Sequence, residues 1–159
     1  MSHGSWFQPW LDDVSNDHPL SFLERFAPVH RRWHGLSLSQ RPIGFLTFHK
    51  EIIEAFRSSL QAVNAEGILP PAWDDPRYPY DESLDSVDDL VTFSRGIEGW
   101  YNTVHMTFPL SGFADPERNI YMRRFWSLHL LIDQKFDECL QRNGIARLAD
   151  MDSALHPTV

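Results

Sequence analysis

At 159 residues the chain is the size of one domain, long enough to bury a core without disulfide or metal staples. A net charge of −8 argues against nucleic acid or an anionic membrane as partner, since both select basic patches. The 42% hydrophobic and 23% charged shares argue against disorder. Cys139 is the only cysteine, so no internal disulfide is available. No apolar run approaches the roughly 18 residues of a membrane span. The opening MSHGSWFQPWLDD lacks the basic region and apolar core of a signal peptide. The expectation is a soluble cytoplasmic protein.

Residues 1–17 are polar and punctuated by Gly4, Pro9 and Asn16, with Trp6, Phe7 and Trp10 either an aromatic arm across the domain or the flanks of a short turn. Asp17-His18-Pro19 then reads as a helix start. Leu20, Leu23, Phe26 and Ala27 keep helical spacing, and Pro28 is expected to kink or end the helix. The pattern resumes through His30, Trp33 and His34 before a loop over 35–42.

Residues 45–60 form the clearest early helix. Phe45, Phe48, His49, Ile52, Phe56 and Leu60 make one stripe, with Lys50, Glu51, Glu54 and Arg57 mostly off it. The stretch 67–80 holds four prolines and reads as an irregular loop shaped by packing. Ser83 to Ser86 offer caps for a helix running to about His105. On it Leu90, Ser94, Ile97, Tyr101 and His105 share a face. Gly96 and Gly99 weaken that helix by roughly 1 kcal/mol each, which suits a close approach to its backbone. After a loop over 109–116, residues 119–142 are the longest periodic segment. Their buried stripe is Met122, Phe125, His129, Ile132, Phe136 and Cys139 or Leu140, and Gly144 follows as a cap. The residues from 146 to 159 form a short tail. No alternating strand pattern is present, so the fold class is all-α: a bundle of about four helices spanning 18–145, joined by long irregular loops.

His49, His105 and His129 each lie on an apolar stripe of a different helix, and His30 reaches the same interior from an earlier one. Imidazole is costly to bury without a partner. Histidines converging from facing helices are how bundles build metal sites, and Cu, Fe and Zn all accept imidazole. The alternative is a set of separate core histidines, each hydrogen-bonded locally.

Two stretches carry a resemblance. Phe45-Leu-Thr-Phe-His49-Lys-Glu-Ile-Ile-Glu-Ala-Phe56 resembles the tyrosinase and haemocyanin signature F-L-P-W-H-R-x-Y-L-x-x-F. Asp115-Pro116 followed by Phe125-Trp-Ser-Leu-His129-Leu-Leu-Ile-Asp133 resembles the second signature of that copper family, D-P-x-F-W-L-H-H-A-x-x-D. Between them Tyr101-Asn-Thr-Val-His105 is similar to its H-N-x-x-H. The resemblance implies a tyrosinase-like four-helix core holding copper through His30 and His49 in one site and His105 and His129 in another. His34 competes with His30 for its place. The resemblance further implies His105 and Tyr101 as catalytic residues, Gln40, Phe45 and Trp126 facing a small aromatic substrate, and Asp133 supporting the histidines. Gln40 and Tyr101 stand where the family has ligand histidines, so one copper ligand is replaced in each site; Leu128 stands for the histidine that precedes His129 in the family, Lys50 for its Arg and Thr47 for its Pro.

Three readings follow. A modified copper or iron site oxidises a phenolic or aromatic small molecule. A metal-free bundle uses a histidine as general base in an aromatic pocket. Or the bundle binds a partner protein without catalysis. Self-association is open in all three.

Overall fold

The computed structural model describes residues 18–36, 44–62 and 64–145. The aromatic arm over 1–17, Gln40 and the tail over 146–159 lie outside the described residues. The fold is all-α. Four helices, α1 His18–His34, α2 Gly44–Gln61, α3 Leu90–Thr107 and α4 Arg123–Arg142, are joined by loops carrying short 3-10 turns, with no strand among the described residues. No helix among them is long and apolar enough to cross a membrane. Helix α4 packs against α2 and α3, and α1 closes on α2.

Helix α1 buries Leu23, Phe26, Ala27 and His30, a spacing that keeps one face inward over two turns. It runs straight through Pro28, where sequence reasoning expected a kink or an end. A proline inside a helix costs about 3 kcal/mol. Here its ring lies on the exposed side, and buried Phe26, Ala27 and His30 hold the turns on either side of it.

Helix α2 buries two adjoining rows: Phe45, His49, Ile52, Phe56 and Leu60, and beside them Leu46 and Ile53. It is wedged between α1 and α4, so its buried face is wider than a single stripe. Between them lies an ion pair, with Lys50 Nζ on α2 donating to Asp133 at 3.0 Å and Asp137 at 2.9 Å on α4.

Helix α3 starts later than the serine caps suggest. Asp89 is its N-cap and accepts from the Thr92 N–H at 2.9 Å. Residues Glu82–Ser86 form a separate 3-10 turn capped by Asp81. That turn explains one of the two helical glycines. A Cβ on Gly96 would lie 2.5 Å from Leu84 Cδ2, whereas Gly99 has nothing within 4 Å. Helix α4 starts at Arg123, after a 3-10 turn over Asn119–Tyr121. It ends with Gly144 in the left-handed region, φ 68°, its N–H on Gln141 and the Ile145 N–H on Leu140.

The proline-rich loop over 67–80 is pinned to the outside of α4. The Trp73 N–H donates to the Ser127 carbonyl at 2.9 Å, and Ser127 Oγ donates to the Pro71 carbonyl. Arg77 grips buried Asp75 through both carboxylate oxygens and holds its pKa down to about 2.

Candidate metal centre

The histidines meet in the middle of the bundle. His30 and His34 sit one turn apart at the end of α1, so their rings project from the same face. His49 faces them from α2. Their ligand nitrogens lie within 4.8 Å of one another, a group that can hold a metal ion. His30 Nε2 is 3.2 Å from His49 Nε2 and 3.0 Å from His34 Nε2. His34 therefore joins His30 instead of competing with it.

The backbone fixes the protonation of two of these rings. His30 Nδ1 lies 2.6 Å from the Pro116 carbonyl, and His49 Nδ1 lies 2.6 Å from the Phe45 carbonyl. A carbonyl only accepts, so each Nδ1 carries the proton and each Nε2 presents a bare lone pair. A proton on His34 Nε2 can serve His30. The contact between His30 and His49 still sets two acceptors against each other at hydrogen-bond distance. A cation between them resolves that conflict. Protonation resolves it poorly: burial lowers the His30 pKa to about 4, against the opposing pull of the Pro116 carbonyl. Burial, then the neighbouring His30 and His34, push His49 well below its ordinary value.

His105 from α3 and His129 from α4 enter the same interior beside His49. The His129 ring stacks on His49 with centroids 4.4 Å apart and planes 12° from parallel. His105 is 6.4 Å from His129 by the same measure. The rings of 49, 105 and 129 therefore share one interior. His105 Nδ1 donates to the Phe113 carbonyl at 2.6 Å. Its Nε2 is buried without a hydrogen-bond partner, and so are both ring nitrogens of His129. Burial lowers the His105 pKa to about 3 and pushes His129 well below the ordinary range, with His49 adding to the second shift. Tyr101, one turn before His105, lies 4.2 Å from His105 and 4.9 Å from His129 between ring centroids.

The remaining site residues divide. Phe45 is fully buried at the junction, 4.7 Å from both the His49 and the Tyr101 rings. Trp126 does not face the histidines as expected of a substrate residue. It stacks on Phe56 at 4.2 Å, and its indole N–H donates to the Ile120 carbonyl, so it is a core residue. Phe125, its neighbour, is the ring that meets the histidines, 4.3 Å from His129 and 5.3 Å from His30. Asp133 supports no imidazole directly, because its carboxylate is taken by Lys50. The anchors that sequence reasoning missed are main-chain carbonyls. One loop, between α3 and α4, supplies both the Phe113 oxygen for His105 and the Pro116 oxygen for His30.

Compared with known family models, curated proteins and solved structures, the chain matches none of them.

Proposed function

We propose that this protein is a copper-dependent, tyrosinase-like oxidoreductase that uses dioxygen on a small phenolic or aromatic molecule, with His30, His34 and His49 holding the metal. The observation that carries this reading is the pair of bare Nε2 lone pairs of His30 and His49 facing each other at 3.2 Å. Three neutral imidazoles are a donor set that copper accepts, as iron and zinc also do. Copper in that place would supply dioxygen binding and one-electron chemistry.

The chain's own residues do the rest. The Pro116 and Phe45 carbonyls orient two of the ligands and keep their metal-facing nitrogens unprotonated. Phe48, parallel to the His30 ring, and Trp33, stacked on Phe48 at 4.7 Å, exclude water from the outer side. Phe45 and Phe125, both fully buried, form an aromatic wall beside the cluster. A metal-free general base fits less well. A ring whose pKa lies near 3 or 4 is a weak base at neutral pH.

Elemental analysis of the protein as purified, paired with oxygen uptake on a monophenol and a catechol, tests the reading. Copper bound in the unsubstituted protein, lost in His30→Ala and His49→Ala together with oxygen uptake, is the expected result. Iron or zinc in its place would overturn the copper assignment. Protein that takes up no metal would overturn the centre itself.

A further inference from the structure

We infer that Asp115 is a positioning residue for His30, acting on the ring through the peptide group that joins Pro116 to Glu117. Its use for metal binding rests on the function proposed above, while the linkage itself is made of the chain's own atoms.

A peptide group is planar, with its C=O and N–H pointing to opposite sides. The Pro116 carbonyl and the Glu117 N–H belong to one such group. The carbonyl accepts from His30 Nδ1 at 2.6 Å, and the N–H donates to Asp115 Oδ1 at 2.9 Å. Carboxylate, peptide group and imidazole therefore form one chain of hydrogen bonds. The proline ring already locks φ of Pro116, so rotation about its Cα–C bond is the main freedom that could turn the carbonyl away. Holding the N–H removes that freedom and aims the carbonyl at the ring. Hydrogen bonds in a chain also polarise one another, so the carboxylate strengthens the carbonyl's grip on the Nδ1 proton. A ligating imidazole commonly gives its other N–H to a carboxylate or a carbonyl. His30, fully buried, gives it to a carbonyl that a carboxylate backs.

The rest of the loop keeps Asp115 in place. Its N–H donates to the Gly112 carbonyl at 3.1 Å, and its own carbonyl accepts from the Arg118 and Asn119 N–H groups at 3.0 and 2.8 Å. Buried Asn119 reaches back with its side-chain amide to the Phe113 carbonyl at 3.1 Å. A second tie joins this loop to α1, where Arg31, next to His30, donates to Glu117 Oε2 at 2.9 Å. Those two side chains are 69% and 43% exposed, and exposed ion pairs contribute little. The salt bridge is on the surface, whereas the Asp115 bond acts on the peptide group that meets the ring.

Long-range nitrogen–proton NMR spectra of the metal-free protein at neutral pH show which nitrogen of His30 carries the proton, and equilibrium dialysis gives its affinity for Cu(II). In the unsubstituted protein the proton is expected on Nδ1 alone. Asp115→Ala is expected to show a share of the Nε2–H tautomer and to bind Cu(II) roughly 10–100-fold more weakly, with helical circular dichroism retained. Asp115→Asn, whose Oδ1 still accepts from the Glu117 N–H, is expected to restore both. Glu117→Gln, which keeps that N–H and loses the salt bridge, is expected to change neither. A His30 tautomer unmoved in Asp115→Ala, moved as far in Glu117→Gln, or not restored in Asp115→Asn would overturn the linkage. A tautomer that follows Asp115 in a protein that binds no Cu(II) would support the linkage and overturn the proposed function.

Discussion

The two halves of the histidine cluster solve the same physical problem differently. The α1–α2 half has nitrogens crowded against nitrogens, at 3.0 and 3.2 Å. The α3–α4 half has nitrogens that meet nothing. Each half anchors a ring on the same interhelical loop, through Pro116 on one side and Phe113 on the other. Crowded acceptors in one half and unpartnered nitrogens in the other leave both halves with buried polar atoms that the protein alone does not satisfy, and the crowded half is a group that can hold a metal ion. The difference also shows why the first half is recognisable as a three-donor group, while the second brings only two imidazoles together.

The comparison breaks most sharply on metal binding. His49→Ala removes a central donor of the crowded half, and its affinity for copper is expected to fall by more than the roughly 10–100-fold typical of losing a mere supporting group. Equilibrium dialysis checks it, and unchanged affinity would dissolve the distinction between the halves.

Acidification comes next. His30 and His105, one from each half, have folded pKa values of about 4 and about 3, below the ordinary 6.5. As pH falls, the unfolded chain therefore takes up protons first. The stability these neutral rings contribute is fully present above pH 6.5. It is lost on acidification at up to about 1.4 kcal/mol per pH unit per ring, until the folded values are reached. Urea midpoints of the metal-free protein at pH 7.5 and pH 5 are expected to differ accordingly, and a flat profile would mean that the rings are not buried neutral.

A smaller effect distinguishes the halves without metal. Replacing an unpaired buried polar group by an apolar one of similar shape removes its desolvation cost. His129→Leu is expected to raise metal-free stability by about 1 kcal/mol, and His30→Leu to lower it, because the Pro116 carbonyl loses its donor. Chemical denaturation reads both, and the same sign for the two would contradict the contrast. The smallest effect is a control. Gly99→Ala, in a helix with open space at the Cβ, is expected to stabilise by roughly 0.5–1 kcal/mol with metal binding unchanged. Gly96→Ala, which meets Leu84, is not expected to gain stability.

Helical periodicity carried most of the fold, because apolar stripes on α2, α3 and α4 are long enough to set their phase. The ends were less legible. Asp89 caps α3 where Ser83 to Ser86 were expected to, since either set suits an N-terminus and only the Leu84 turn packing on Gly96 decides between them. Pro28 misled because local propensity yields to packing on both sides of it. In the site, the stripes of His49, His105 and His129 were readable at helical spacing. His34, one turn from His30, is readable as an alternative for the same place, but the sequence alone does not show that both rings project into the site together. The anchoring carbonyls of Phe45, Phe113 and Pro116 carry no side-chain signature, so no residue pattern could reveal them. Trp126 and Phe125 are neighbours, and a rotation of about 100° per residue around α4 decides which of the two rings meets the histidines.

The most direct measurement is anomalous diffraction at the copper edge from crystals of copper-loaded protein. A peak about 2.0 Å from Nε2 of His30, His34 and His49, the distance of an imidazole–metal bond, is the expected result. Density without a peak, and those nitrogens still at hydrogen-bond distance from one another, would contradict it.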